Sequence, residues 1–277
     1  MILSDALNEA IETLSLASIQ DPIRDARVLM RDAIEEENGP LDTQLILSKS
    51  QLTRFRRSIS QRAKNQPVSQ ILGFREFWGR RFEVSQDTLD PRPDTELLIE
   101  LALKIRPVPS SILDLGTGTS CILSTLLSEW PECRGVGTDV NLKTLKVAQR
   151  NIDKLGLSNR AVLKSSHWFA DVEGSYDLIV SNPPYISEDD LQTIAPDVLN
   201  WEPKIALSPG GDGLDPYREI FKNAHHHLND SGIVLVEIGY NQGQAVKELA
   251  HTSKFSDTNL HQDLNGKDRA VIAHLCC

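Results

Sequence analysis

The sequence has little cysteine and no long run of apolar residues. No stretch reaches the roughly 18 uninterrupted apolar residues that a membrane helix needs. The N-terminal segment carries Asp5, Glu9 and Glu12, where a signal peptide has basic and then apolar residues. We therefore expect a cytoplasmic protein, or one of an organellar matrix in a eukaryote, that has no membrane partner. The cysteines form no C-x-x-C pair and are expected to be reduced thiols; they are Cys121, Cys133, Cys276 and Cys277.

Acidic residues outnumber basic ones, which gives a net charge of −10. This balance argues against a protein that grips nucleic acid with a whole face, so no direct nucleic-acid binding is expected. The segment from Thr43 to Arg75 is an exception, because it contains basic residues and no acidic one. It either docks an acidic partner or forms a solvated helix face. Its basic residues are Lys49, Arg54, Arg56, Arg57, Arg62, Lys64 and Arg75.

The N-terminal part, residues 1–66, is predicted to be a small helical domain. Asp21-Pro22 is a helix start signal, with Asp as the N-cap and Pro at the first helical position. Asn38-Gly39-Pro40 should end that helix, and another is expected from about Thr53 to Lys64. No strand-like alternation precedes Pro67.

Two further parts follow, a linker at 67–90 and a larger domain at 91–277. Aromatic and β-branched residues in the linker predict a β-hairpin. Beyond Ser110, buried apolar strands alternate with helices, which is typical of a doubly wound, mainly parallel α/β sheet. The strands are expected at 111–115, 134–139, 161–165, 176–181, 232–239 and 270–275.

A glycine-rich loop follows the first of these strands, in the order Asp114-Leu-Gly116-Thr117-Gly118-Thr119-Ser120. Ligands bind such sheets at the carboxyl ends of the strands, and glycines let the backbone approach a ligand closely. Asp139 ends the second strand, where a carboxylate can accept hydrogen bonds from both ribose hydroxyls. The loop alone would also fit a dinucleotide or a tight turn without ligand, although Cys121 departs from the G-x-G-x-x-G pattern.

The fourth strand runs directly into Asn182-Pro183-Pro184-Tyr185. Two prolines make this loop stiff, and they leave the Asn182 side-chain oxygen and the Pro183 carbonyl as acceptors. Two fixed acceptors can hold a planar NH2 group and direct its lone pair at a methyl carbon. Tyr185 can lie against the planar group. We therefore predict an S-adenosylmethionine-dependent methyltransferase with Asn182, Pro183 and Tyr185 at its catalytic centre and no metal, since the consecutive side chains of 225–227 cannot converge on one ion.

The chain resembles the peptide chain release factor N5-glutamine methyltransferases, the HemK/PrmC group, along nearly its whole length. The segments in family order are Arg75-Glu76-Phe77-Trp78, Pro91-Arg92-Pro93-Asp94-Thr95-Glu96, the 114–119 loop, Asp139, the 182–185 loop, Glu202-Pro203, Gly213-Leu214-Asp215, Glu237-Ile238-Gly239 and Asp268-Arg269. This resemblance implies a seven-stranded class I methyltransferase sheet. It also implies that the substrate is the glutamine of the Gly-Gly-Gln motif in class I release factors, contacted by the N-terminal domain.

The resemblance also implies roles for individual residues. Asn182 to Tyr185, including Pro183 and Pro184, would hold the glutamine amide. Gly116, Thr117, Gly118, Thr119, Ser120, Asp139, Trp168 and Asn182 would contact S-adenosylmethionine, whose product is S-adenosylhomocysteine.

Three positions depart from the family pattern. Ser120 replaces a third glycine, and we expect it to cap the following helix, the alternative being that it crowds the methionine moiety. His167 replaces an aspartate before Trp168, which weakens cofactor binding if that carboxylate bonds the adenine amino group. Asp90 replaces an apolar residue before Pro91, for which the sequence offers no physical account.

Two other functions fit parts of the pattern. A methyltransferase for exocyclic amines of nucleic-acid bases would use the same loop, but it would need a basic groove. A catalytically silent cofactor-binding protein would account for Ser120 and His167. Methyl transfer to release factor, as against nucleic acid, separates these possibilities.

Overall fold

The computed structural model describes residues 1–36 and 39–276. Two compact units are formed, Met1–Phe74 with Ala195–Trp201, and Arg75–Ile194 with Glu202–Cys277. The helices are α1 Leu3–Leu16, α2 Pro22–Ile34, α3 Lys49–Arg62, α4 Val68–Leu72, α5 Glu96–Ala102, α6 Cys121–Glu129, α7 Leu142–Lys154, α8 Pro196–Trp201, α9 Lys204–Leu207, α10 Asp215–Ala224 and α11 Gly243–His251. The strands are β1 Phe74–Phe77, β2 Arg80–Glu83, β3 Ser111–Leu115, β4 Arg134–Asp139, β5 Ala161–Ser165, β6 Tyr176–Ser181, β7 Leu228–Glu237, β8 Phe255–Gln262 and β9 Asp268–Leu275.

The first unit is helical and has its own apolar core. The predicted start of α2 is confirmed, because the Asp21 side chain accepts a hydrogen bond from Arg24 N at 3.1 Å and Pro22 is the first helical residue. This helix ends at Ile34, before the predicted breaker, of which Asn38 lies outside the described residues. Leu14, Leu29, Met30 and Phe55 are fully or nearly fully buried in the core.

Helix α3 begins earlier than the sequence predicts, at Lys49 and not at about Thr53. The reason is a capping box, in which the Ser48 side chain accepts from Gln51 N and the Gln51 side chain accepts from Ser48 N. This pair satisfies two of the free N–H groups at the helix start, so the helix extends back beyond its apolar positions.

Three of the seven basic residues of the 43–75 segment pair with acidic residues of this unit. Arg54 pairs with Asp32 and Glu35, and Arg56 pairs with Glu9. Arg62 is buried and donates to Asp25 Oδ2 at 2.7 Å, while Asp197 lies 3.7 Å away. Three of the predicted surface cations therefore make ion pairs within the unit.

The predicted hairpin is present but shorter than the 67–90 segment. Strands β1 and β2 pair through a turn at Trp78 and Gly79, which both have positive φ, the geometry of a tight two-residue turn that matches strand twist. Residues 68–72 are helix α4 instead of strand, and Gly73 ends this helix in the left-handed conformation. A helical period and a short strand are hard to tell apart over so few residues.

The second unit contains the seven-stranded sheet, with strand order β5-β4-β3-β6-β7-β9-β8. Strands β3 to β7 pair in parallel, and β9 pairs antiparallel with β7 and β8. Two apolar clusters, which take alternate residues of the same strands, cover the two faces of the sheet, as in a doubly wound fold. The strand order reverses at β3, which lies between β4 and β6, and this is where ligands bind such sheets.

Strand β8 was missed in the sequence because only Phe255 and Thr258 of its eight residues are buried. It is the outer strand of the sheet, so it lacks the continuous apolar run of the central strands. Strand β7 also begins earlier than predicted, at Leu228.

Cys121, Cys133 and Cys276 are free thiols, while Cys277 lies outside the described part of the chain. Within 1–36 and 39–276, every helix is too short or too polar to cross a bilayer.

Candidate active site

The glycine loop, residues 114–120, and the diproline loop, residues 182–185, begin side by side at one edge of the sheet. Leu115, the last residue of β3, is in register with Ser181, the last residue of β6. The Ser181 hydroxyl donates to the Leu115 carbonyl at 2.7 Å, which ties the two strand ends together. Because neighbouring strands lie about 4.8 Å apart, Gly116 and Asn182 leave the sheet as close neighbours.

A cavity of about 1060 Å³, its open mouth included, lies at this edge. The predicted site residues that line it are Gly116, Thr117, Gly118, Thr119, Asp139, Trp168, Asn182 and Pro184. Ser120, Pro183 and Tyr185, all of them described, are not among its lining residues. The cavity is also lined by residues that are not among the predicted site residues, including Asp87, Arg92, Thr95, Asn141, Thr144 and Ser166.

The glycine loop turns through backbone conformations that favour glycine. Gly116 and Gly118 have φ of +69° and +56°. A Cβ atom at Gly116 would meet no atom within 4 Å, so the backbone there is open on the cavity side. Asp114, at the end of β3, is fully buried and accepts a hydrogen bond from Thr117 Oγ1 at 2.7 Å, which holds the turn. Burial raises the pKa of Asp114 to about 7.

Ser120 does not cap α6 with its side chain, so that prediction was wrong. Its backbone has a φ of +67°, and its hydroxyl lies 2.8 Å from the Ser124 hydroxyl. The left-handed conformation turns the side chain away from the free N–H groups of the first turn. Ser120 is fully buried, and it occupies a backbone conformation in which glycine would be unstrained.

Asp139 presents a carboxylate at the end of β4. Its Oδ2 accepts from Gly118 N at 3.2 Å and its Oδ1 accepts from Asn141 N at 2.8 Å, so the side chain is held beside the glycine loop. Burial raises the pKa of this carboxyl, and the backbone N–H groups oppose that rise.

We expect the substitution Asp139→Asn to weaken S-adenosylmethionine binding by about tenfold. Hydrogen bonds to a charged acceptor are roughly twice as strong as neutral ones, and a difference near 1.4 kcal/mol is a factor of about ten. Titration calorimetry measures this, with Asp189→Asn in an exposed loop as the matched control. Equal affinity of Asp139→Asn and wild type would remove Asp139 from the binding site.

The side chain of Gln242, which follows β7, holds the end of the diproline loop in place. Gln242 Nε2 donates to the Tyr185 carbonyl at 2.9 Å, and Gln242 Oε1 accepts from Gly239 N at 2.9 Å. Gly213 packs so closely on the Tyr185 carbonyl that a Cβ atom there would overlap it. The loop therefore has a fixed position relative to the sheet.

Buried polar groups lie directly behind Asn182. Asn182 Nδ2 donates to Thr95 Oγ1 at 3.1 Å, and Thr95 Oγ1 donates to Glu237 Oε2 at 2.6 Å. The Tyr185 hydroxyl donates to Glu237 Oε1 at 3.2 Å. The sequence placed Thr95 and Glu237 in family segments but gave them no role, because their contact spans 142 residues of chain.

The other departures from the family pattern lie at the cavity. His167 lines it, with its ring edge-on to Trp168. Asp90 is buried, and its backbone N–H donates to Glu202 Oε2 at 3.3 Å. Arg92 donates to the other oxygen of the same carboxylate at 2.6 Å. Burial raises the pKa of Glu202. The positive charge of Arg92 lowers this pKa, and the negative charge of Asp90 raises it further.

Comparison with known proteins agrees with this architecture. Residues 83–214 match the model of the methyltransferase small domain, and residues 5–73 match that of the PrmC N-terminal domain. A release factor glutamine methyltransferase of Cereibacter sphaeroides is 47% identical over 274 residues, which are 98% of each chain. One of Rhodospirillum rubrum is 37% identical and covers 99% of this chain and 85% of its own.

Solved structures show the same fold at low identity. The hMettl16 catalytic domain, in complex with MAT2A 3'UTR hairpin 1, aligns over 91% of both chains with a TM-score of 0.60 and 16% identity. A methyltransferase from Pyrococcus furiosus aligns over 79% of this chain and 98% of its own, with a TM-score of 0.56 and 18% identity. Because the relatives from Cereibacter sphaeroides and Rhodospirillum rubrum match nearly the whole chain at 37% to 47% identity, the chain belongs to the release factor glutamine methyltransferase family.

Proposed function

We propose that this protein transfers a methyl group from S-adenosylmethionine to the side-chain amide nitrogen (N5) of the glutamine in the Gly-Gly-Gln motif of class I peptide chain release factors. The observation that carries the proposal is the common origin of the two loops, at paired residues of β3 and β6 beside one cavity. Such a reaction would take place where translation ends, which is the cytoplasm in a bacterium.

The residues at the cavity fit the cofactor. The open backbone at Gly116 leaves room for a ligand against the turn, and the Asp139 carboxylate lies next to Gly118. Gly116 to Thr119, Asp139 and Trp168 would hold S-adenosylmethionine, which supplies an electrophilic methyl group on a positively charged sulfur. Trp168 lines the cavity beside His167, where an aromatic ring can cover a flat group.

The diproline loop would hold the acceptor. An amide nitrogen is a poor nucleophile because its lone pair is delocalised into the carbonyl. Asn182 and the Pro183 carbonyl would each accept one N–H, and Tyr185 and Pro184 would pack against the glutamine side chain. Fixed acceptors favour a geometry in which the lone pair points at the methyl carbon.

Charge and atoms balance without a metal or a covalent intermediate. The nitrogen lone pair forms the new N–C bond while the C–S bond breaks and its electron pair stays on sulfur. The nitrogen then loses one proton to solvent. Because the positive charge is dispersed as the methyl group leaves, a partly buried, uncharged acceptor such as Asn182 suits the reaction.

Mass spectrometry of a purified release factor after incubation with the enzyme and S-adenosylmethionine tests the proposal. We expect one added methyl group, 14 mass units by composition, on the peptide that contains Gly-Gly-Gln, with fragmentation placing it on the glutamine. Transfer of the methyl group to nucleic acid and not to the release factor would reject the proposal in favour of a base methyltransferase. Tight cofactor binding without transfer to any release factor would favour a silent cofactor-binding protein.

A further inference from the structure

Two buried side chains that take no direct part in the proposed methyl transfer lie behind the diproline loop. Thr95, in a short helix before α5, and Glu237, the last residue of β7, are 2% and 1% exposed. Thr95 connects Asn182 to the Glu237 carboxylate through two hydrogen bonds, of 3.1 and 2.6 Å.

The hydrogen-bond donors and acceptors of these groups determine the orientation of the Asn182 amide. A threonine hydroxyl has one hydrogen to donate, and Thr95 gives it to Glu237. The Thr95 oxygen can then only accept, so it takes the NH2 end of the Asn182 amide. The carbonyl end, Oδ1, is left for the cavity that Asn182 lines.

We infer that Thr95 and Glu237 are positioning residues that hold the Asn182 amide with its oxygen toward the substrate. The inference rests on the proposed function, because an oxygen is wanted there only if the acceptor presents an N–H. Were the Asn182 amide reversed, its NH2 would face the NH2 of glutamine, and two donors would meet.

The charge state of Glu237 controls this arrangement. When Glu237 is ionised it can only accept, which forces Thr95 to donate to it. When Glu237 is protonated it can donate to Thr95, whose own hydrogen then becomes available to Asn182 Oδ1. The amide loses its preference for the productive orientation.

Several titratable groups face Glu237 from the surrounding elements. Arg269 of β9 and Asp94 act on it electrostatically, and Asp263 pairs with Arg269 in turn. The Tyr185 hydroxyl donates to its carboxylate, and the Tyr217 hydroxyl of α10 donates to its backbone carbonyl. The buried thiol of Cys121 is also coupled to it.

Burial of Glu237 outweighs these groups and raises its pKa from 4.5 to about 7, although Thr95, Arg269 and Tyr185 oppose the rise. A raised carboxyl pKa means that the proton is gained as pH falls through about 7. The productive orientation of Asn182 is therefore favoured above that pH and lost below it. The expected consequence is a fall of kcat on the acid side, with little change in KM.

Steady-state methylation of a release factor, with the full-length enzyme, tests the inference. We expect Thr95→Val, which removes the hydroxyl at similar volume, to lower kcat by about tenfold with KM for both substrates unchanged. Thr95→Ser restores the hydroxyl and is expected to stay within about twofold of wild type. Thr252→Val, an exposed threonine at the end of α11, is the matched control.

The pH profile of kcat separates positioning from general loss of structure. Glu237→Gln cannot titrate, so the decline of kcat toward acid pH should be weaker in this variant than in wild type, and any decline that remains is assigned to Asp114, whose pKa is also about 7. If wild type methylates release factor but Thr95→Val matches Thr95→Ser, or Glu237→Gln keeps the full acid decline of wild type, the inference is wrong and the proposed function stands. If wild type transfers no methyl group to release factor at all, the proposed function itself fails.

Discussion

Replacing Asn182 by alanine is expected to lower the turnover of release factor methylation by roughly 10² or more, the scale of losing one preorganised polar contact in an active site. The side chain is held by Thr95 and lines the cavity at the end of β6. Its loss removes one of the two proposed acceptors for the glutamine N–H groups. The rate of the chemical step should fall because the nitrogen lone pair is no longer directed at the methyl carbon.

S-adenosylmethionine binding should be largely intact in Asn182→Ala, because most of the proposed cofactor contacts come from the glycine loop and the end of β4. Single-turnover kinetics measure the rate, and calorimetry measures the binding. Asn259→Ala, in the outer strand β8, is the matched control, since this asparagine is exposed. A near-normal rate in Asn182→Ala would show that the role assigned to Asn182 is wrong.

Arg62→Ala is expected to destabilise the N-terminal unit by about 3–5 kcal/mol, the usual cost of removing one partner of a buried ion pair. Arg62 and Asp25 lie in contact, with side chains 8% and 12% exposed. Without Arg62, the Asp25 carboxylate would be left in a low-dielectric site with no cation at 2.7 Å. Asp197, 3.7 Å from Arg62, would lose a weaker partner as well.

Hydrogen exchange measured by mass spectrometry on the full chain reports this unit separately from the sheet. Amides of α2 and α3 should lose protection by at least about a hundredfold in Arg62→Ala, as the free-energy change implies. Arg57→Ala, on the exposed side of the same helix, should exchange like wild type. Equal protection of the two variants would mean that the Arg62–Asp25 pair contributes nothing to the fold of the unit.

The central sheet could be predicted from the sequence because its strands are buried on both sides. Strands β3 and β6 are almost entirely buried and mostly apolar, and each ends at a recognisable loop. The placement of the two loops at one edge follows from the rule that the carboxyl ends of parallel strands share that edge, and the direct pairing of β3 with β6 comes from the structure. Strand β8 could not be predicted in the same way, because an outer strand with six unburied residues has no such pattern.

Two predictions about helix starts were wrong, one because of a side-chain cap and the other because of backbone geometry. The capping box at Ser48 lies outside the apolar periodicity that located α3, so the helix start was set too late. Ser120 looks like an N-cap in sequence, but its positive φ turns the side chain toward Ser124. Residue type alone does not reveal which conformation the turn requires.

Two buried polar contacts join residues that are far apart in the sequence. Thr95 precedes Glu237 by 142 residues, and Arg62 follows Asp25 by 37. Both pairs are within 2.7 Å in the structure, yet neither partner indicates the other in the sequence. From the sequence, the basic segment fits either a docking surface for an acidic partner or a solvated helix face, whereas in the structure Arg54, Arg56 and Arg62 pair with acidic residues of the unit.

The most direct test of the account is the mass of a release factor peptide after incubation with the enzyme and S-adenosylmethionine. If the glycine and diproline loops bring a methyl group and an amide nitrogen together, the Gly-Gly-Gln peptide gains one methyl group on its glutamine, and Asn182→Ala slows that gain at unchanged cofactor affinity. An unmodified glutamine in the presence of cofactor-bound wild-type enzyme would contradict the account.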